Sequence, residues 1–201
     1  NLVPADKIKN GTLQLGGYGD KSIVDLMWYD NKTGKNRWFC NTFKQSNLLT
    51  SITNGIGAKT AIEEGLENVA FVRTQIELIE AVFAQGEVAE IWITFPDPQY
   101  KFRRKHHRLT NPTFLRSYQQ VLQPEGVVHL KTDAAFLHGY TLGVLDGWDI
   151  KPLMAHHDIY QYVHAPADVI GIQTFYEQQY REQGIPITYL KFSFPTDAAT
   201  K

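Results

Sequence analysis

Cysteine is nearly absent. Cys40 is the only one in 201 residues, which excludes an internal disulfide and any cysteine-rich zinc site and suits a reducing, cytoplasmic setting. No run approaches the roughly 18 apolar residues that a membrane span needs, so no membrane partner is expected. The opening NLVPADKIKNG is polar and carries no signal-peptide pattern; it starts on Asn1 rather than Met, which leaves room for a missing amino terminus. Charge of one sign is also lacking. The net charge is −1, so the average announces no polyanionic partner. Internal repeats, low-complexity tracts and a domain linker are not visible. What the chain does have is apolar mass: 43% hydrophobic residues with 12% aromatics can fill a sizeable core and argue against disorder. The length fits one domain, expected to span 1–201.

From residue 69 onward, strand and helix patterns alternate. Residues 69–73 (VAFVR), 90–95 (EIWITF), 127–131 (VVHLK) and 187–194 (ITYLKFSF) predict strands. Residues 75–84, 112–122, 134–145 and 174–183 carry helical spacing, with a turn at 123–126. Pro112 sits near a helix start and Gly184 at a helix end. Such alternation predicts a mostly parallel sheet with helices on both faces, whose ligands bind beyond the carboxyl ends of the strands. Residues 1–60 are less regular: strands are expected at 12–15 and 37–40, and a helix at 58–64.

The densest feature is FPDPQYKFRRKHHRLT, residues 95–110. A strand ends at Phe95, and Asp97 follows between two prolines that restrict the backbone on either side. The carboxylate is therefore held stiffly at the ligand edge; the alternative is a rigid loop with a solvated acid. Lys101, Arg103, Arg104, Lys105 and Arg108 then place five cations within eight residues, a local concentration suited to a phosphate backbone, or else a solvated basic loop. His106 and His107 are expected to point apart, and no metal site is expected. HLKTD, 129–133, puts Thr132 and Asp133 at the same edge, either as functional groups or as caps for the next helix. TFYEQQYREQG opens like a capping box, Thr174 with Glu177, whose hydroxyl and carboxylate could also face a base. LGGYGD, 15–20, is a candidate glycine-rich turn after the first strand.

Together GAKTAIEEGLENVAFVRT, EIWITFPDPQYKFRRKHHRLTNPTFLRSY, VVHLKTD and TFYEQQYREQG resemble the tRNA (guanine-N7-)-methyltransferase family in its bacterial single-subunit form, from about Gly57 to Phe194. The resemblance implies an α/β, Rossmann-like class I methyltransferase fold: a mostly parallel seven-stranded sheet, helices on both faces and one antiparallel strand. It implies S-adenosyl-L-methionine as methyl donor and a guanine in the tRNA variable loop as acceptor. Carried over by motif, Asp97 is the catalytic acid near both donor and guanine. Lys101, Asp133, Thr174 and Glu177 are substrate-binding, and Arg103, Arg104, Lys105 and Arg108 face tRNA phosphates. The donor positions are Gln14, Gly16, Thr42, Gln75 and Asp97. Residues 1–55 match the family poorly: Gln14 and Thr42 stand where it expects acids.

Guanine N7 has an in-plane lone pair and no proton, so a reaction at N7 needs positioning more than a base, in keeping with the lack of a Ser-His-Asp or metal constellation. A carboxylate at Asp97, joined by Glu177, can accept from guanine N1–H and the N2 amine. Two rivals remain: an RNA-binding paralogue that has lost catalysis, suggested by Gln14 and Thr42, and a nicotinamide dehydrogenase, which would need a G-x-G-x-x-G turn and a following acid that this sequence lacks. The chain is expected to act as a monomer or homodimer.

Overall fold

Alternating side chains and connection lengths set the sheet. The computed structural model describes residues 11–16, 23–30, 63 and 69–195. Its strands are β1 (Gly11–Gly16), β2 (Ile23–Asp30), β3 (Val69–Gln75), β4 (Val88–Thr94), β5 (Leu122–Thr132), β6 (Met154–His156) and β7 (Thr188–Ser193). They form one mixed sheet in the order β3-β2-β1-β4-β5-β7-β6. The central strands β1, β4 and β5 are parallel. Two strands oppose them where one was expected: β7 runs against β5 and β6, and β2 runs against β1 and β3. The reason for the second lies in the connection. Only residues 17–22 separate β1 from β2, too few for the dozen-residue crossover that parallel neighbours require, so the two pair as a hairpin.

The helices are α1 (Ile79–Val82), α2 (Pro112–Val121), α3 (Ala135–Asp146), α4 (Ala167–Gly171) and α5 (Phe175–Glu182). The period-two pattern of the central strands sorts the interior into two layers. Ile91 and Ile93 of β4, Val128 and Leu130 of β5 and Leu190 and Phe192 of β7 join Ile79 of α1, Leu115 and Tyr118 of α2 and Leu137 and Leu145 of α3 in one buried cluster. The intervening residues face the other way: Trp92 and Tyr189 pack with Ile159, Val169 of α4 and Ile187. Helices thus cover both faces, as the alternation predicted.

Several elements differ from their expected form. The 75–84 helix is only a 3-10 turn, Ile76–Leu78, running into α1, because the segment buries just Ile76, Ile79 and Phe83 before Gly86, at φ 66°, turns the chain into β4. The 123–126 turn lies inside β5 as a bulge. Val88 still pairs with Leu122, and the register then jumps to Glu90 with Val127. Glu125 takes φ 65°, and a Cβ on Gly126 would meet the Gln123 carbonyl oxygen at 2.9 Å, which explains the glycine. β2, β6 and α4 were not foreseen. The expected strand at 37–40 lies outside the described residues, as does the expected 58–64 helix apart from the helical Glu63.

Asn111 joins α2 to the basic loop that precedes it. Its side-chain oxygen accepts the N–H groups of Thr113 (2.8 Å) and Phe114 (3.1 Å) at the start of α2, and its amide donates to the His106 carbonyl at 2.6 Å. Asn111→Ala is expected to lower stability by about 0.5–2 kcal/mol, read as a lower urea midpoint at unchanged slope. A midpoint equal to the parent's would overturn the capping role.

Candidate active site at the carboxyl edge of the sheet

The parallel strands β4 and β5 end side by side, and Phe95 extends the ladder by donating its N–H to the Lys131 carbonyl at 2.8 Å. The chain then turns sharply. Phe95 (φ 47°) and Gln99 (φ 48°) are both non-glycine residues in the left-handed region, each costing about 1–3 kcal/mol. Between them Asp97 is exposed, with Pro96 buried and Pro98 half-buried on either side. One oxygen of Asp97 accepts the Gln99 N–H at 2.9 Å; the rest of the carboxylate is open to a ligand. The sequence reading of a stiffly held acid at a strand end describes this geometry.

The basic stretch continues as 3-10 turns over Phe102–His107. Lys101, Arg103 and Lys105 are exposed, and Arg104 is half-exposed. The rings of His106 and His107 do not diverge; their centroids lie 4.0 Å apart, because the tight turn places consecutive side chains side by side. Arg108 differs from its expected role. Only 5% exposed, it stacks its guanidinium over Phe136 (4.7 Å) and Tyr140 (4.4 Å) and donates from Nε (3.2 Å) and Nη2 (3.1 Å) to the Gln99 carbonyl. It is spent on holding the Asp97 turn and has no surface left for a phosphate.

At the end of β5, Asp133 is half-buried, and burial raises its carboxyl above the ordinary value, partly offset by its hydrogen bonds. It does not cap α3. Ala134 holds the cap position, and Thr132 Oγ1 accepts the Ala134 N–H at 3.1 Å. Lys131, on the preceding turn of the pleat, points into the second layer, where it is 2% exposed. Its Nζ lies 2.6 Å from Glu177 Oε1 and donates to the carbonyls of Val169 and Ile172. Burial lowers the Lys131 ammonium, opposed by the Glu177 charge. Glu177 is wholly buried; Tyr160 also donates to its Oε1 (2.5 Å), and its Oε2 accepts the Thr174 N–H at 3.3 Å. Thr174 returns the bond by accepting the Glu177 N–H on its hydroxyl oxygen at 3.1 Å, completing the capping box. Glu177 therefore braces the wall of the edge and is closed to a base. Arg181 covers the Tyr160 ring at 3.8 Å, and burial raises the Tyr160 hydroxyl.

On the other side of Asp97, Gly16 closes β1 beside β4, and Gln75 closes β3, paired with Ile23 at the same edge. Gln75 is exposed. A strand end without a side chain, an exposed carboxamide and an exposed carboxylate thus lie along the same carboxyl edge. Gln14 lies two residues back along β1, and Thr42 falls outside the described residues. Among the described residues no cluster of His, Cys, Asp and Glu could hold a metal, and no helix is long and apolar enough to cross a membrane.

Residues 45–190 match the family model described as "Putative methyltransferase". The chain belongs to this methyltransferase family. It is 65% identical over 136 residues to the tRNA (guanine-N(7)-)-methyltransferase of Christiangramia forsetii, covering 68% of this chain and 61% of the relative. It is 48% identical over 139 residues to the protein of the same name from Porphyromonas gingivalis, covering 68% and 55%. To that of Levilactobacillus brevis it is 38% identical over 151 residues, covering 75% and 67%. The chain thus spans about three fifths of the length of the first of these curated relatives. The kinship drawn from the FPDP, VVHLKTD and TFYEQQYREQG segments is borne out.

In this member of the methyltransferase family, sequence reasoning missed Lys131, Tyr160 and Arg108 as organising residues. The signal for Lys131 was present: a lysine inside a strand otherwise reading as buried requires an acid partner. Glu177→Gln alone should destabilise the protein strongly, by roughly 3–5 kcal/mol, because it strands the buried ammonium. Lys131→Met with Glu177→Leu should recover most of that loss. Equal destabilisation by the single and the double change in urea titrations would show that the pair is not coupled.

Proposed function

We propose that this chain transfers a methyl group from S-adenosyl-L-methionine to N7 of a guanine in the variable loop of tRNA, in the cytoplasm, on a Rossmann-like class I methyltransferase sheet. The observation that carries the reading is the exposed Asp97, fixed between two strained residues at the carboxyl edge and followed directly by exposed cations. The names of the relatives support it.

Asp97 accepts from guanine N1–H and the N2 amine, donors that adenine does not present in that arrangement. Lys101 and Asp133 flank it and contact the substrate. Arg103, Arg104 and Lys105 hold the phosphates of the strand that carries the guanine. Thr174 and Glu177 shape the wall through the capping box and the Lys131 pair, rather than touching the base, because Glu177 has no exposed surface. Gly16, Gln75 and Asp97, with Gln14 and Thr42 carried over from the family, hold the donor. When bound, S-adenosyl-L-methionine supplies an electrophilic sulfonium methyl, which N7 takes with its own lone pair. The protein's contribution is alignment, on the order of 7–11 kcal/mol at best, and no residue need act as a base.

In a tritiated-methyl assay on unmodified tRNA, Asp97→Asn should lower turnover by about a hundredfold or more, on the scale of misplaced reacting groups. Near-normal turnover would refute the role of Asp97.

Phosphate binding separates the exposed cations from Arg108. Replacing Arg103, Arg104 and Lys105 by Gln should weaken tRNA binding and flatten the salt dependence by about 0.7–0.9 for each phosphate no longer held. Arg108→Lys should leave that slope unchanged and lower turnover, because lysine cannot reproduce the stacked, two-bond grip on the Gln99 carbonyl. A slope that falls for Arg108→Lys would restore Arg108 as a phosphate ligand.

A further inference from the structure

Beside Asp97 lies a group of aromatic rings that the proposed reaction does not use. Tyr100, Phe102 and Phe136 are 65%, 77% and 42% exposed. With Arg108 and Tyr140 they line a groove of about 540 Å³, within the roughly 300–1,000 Å³ of sites that take small ligands. Single exposed apolar residues are ordinary, but adjacent rings around one groove mark a binding surface.

The groove is built from beneath. Phe136 and Tyr140 are one turn apart on α3 and share a face. The Arg108 guanidinium stacks on both, so its bond to the Gln99 carbonyl ties the rings to the turn that carries Asp97. Tyr100 stands 5.3 Å from Phe136 at 39°, and Phe102 carries the Lys105 ammonium 4.4 Å from its centroid. Charge identifies the occupant. Lys101, Arg103 and Lys105 border the rings and are exposed. From Pro98 to Thr132 the sequence holds one acid, Glu125, which sits in the bulge at the far end of β5. A partner that brings both negative charge and flat rings to such a surface is a single-stranded nucleic acid, whose bases stack on aromatic side chains while its phosphates meet cations.

We infer that the groove formed by Tyr100, Phe102 and Phe136 stacks an unpaired base of the RNA, adjacent to the guanine at Asp97 and on the strand gripped by Lys101, Arg103 and Lys105. This rests on the tRNA reading above. The test is binding of unmodified tRNA transcript by filter retention at several salt concentrations. Tyr100→Leu with Phe136→Leu keeps apolar bulk and removes the ring faces. It should weaken binding about fivefold or more, the lower end of the effect of losing one stacked base, with an unchanged salt slope. Tyr100→Phe with Phe136→Tyr should bind like the parent. Tyr100→Leu alone, in a loop rather than a helix, should show part of the loss and guards against a folding defect in the double variant. Parent-like binding by the leucine variants overturns the stacking groove and leaves the tRNA reading intact. A loss with a flattened slope also overturns it, by assigning the defect to phosphates. Failure of the parent itself to bind tRNA removes the reading beneath it, and the groove with it.

Discussion

A lysine buried in the middle of a sheet constrains everything packed over it. Lys131 sits on β5 between β4 and β7, with almost no exposure. Left unpaired, its charge would cost several kcal/mol. The segment between β6 and β7 is organised to prevent that: α4 offers the Val169 carbonyl, the following loop offers the Ile172 carbonyl, and α5 delivers Glu177. Because Glu177 is also the third residue of its helix, the capping box and the ion pair fix the same side chain from two directions. The start of α5 is thereby pinned over the end of β5. The pair thereby joins the 158–177 segment to the sheet edge at one fixed place.

A second anchor acts on the turn that follows β4. The turn carrying Asp97 contains two residues in a backbone region that side chains disfavour, and something must hold them there. Phe95 is held by a ladder bond to Lys131 and by burial of its ring. Gln99 is held by Arg108, whose charged donors make bonds of about 1.5–3 kcal/mol, the same size as the strain. Both anchors are cations used for architecture, and one of them, Arg108, was expected at a phosphate. The cations of this loop left exposed are Lys101, Arg103 and Lys105.

The sequence made the sheet legible where its residues obey one period. EIWITF, VVHLK and ITYLKFSF each alternate between the two layers or run buried through both, and each forms a strand, as does VAFVR. Asp97 was legible because prolines on both sides have local consequences that need no tertiary context. The capping box of Thr174 and Glu177 was legible for the same reason. What the sequence concealed depends on neighbours distant along the chain. That Glu177 meets Lys131 rather than a base follows from β5 and α5 being brought together, across some 46 positions (131 to 177). That Arg108 folds back onto Gln99 rather than outward follows from the placement of Phe136 and Tyr140 on α3. The hairpin of β1 and β2 was missed because IVDLMWYD lacks a clean alternation.

The distribution of rigidity suits the chemistry proposed above, at a nitrogen that needs no proton removed. A reaction limited by alignment gains from an acceptor site whose parts cannot drift relative to one another. Asp97, Asp133 and the wall around Thr174 come from three different connections, after β4, after β5 and before β7, and loops of separate origin move independently unless they are tied. Here they are tied through β5. Its Lys131 carbonyl fixes Phe95, its Lys131 side chain fixes Glu177, and its Thr132 carbonyl accepts the Thr188 hydroxyl at 2.7 Å, closing the edge on the β7 side. The end of one strand thus ties the three connections of the carboxyl edge to one another, the rigidity that the proposed role of Asp97 calls for.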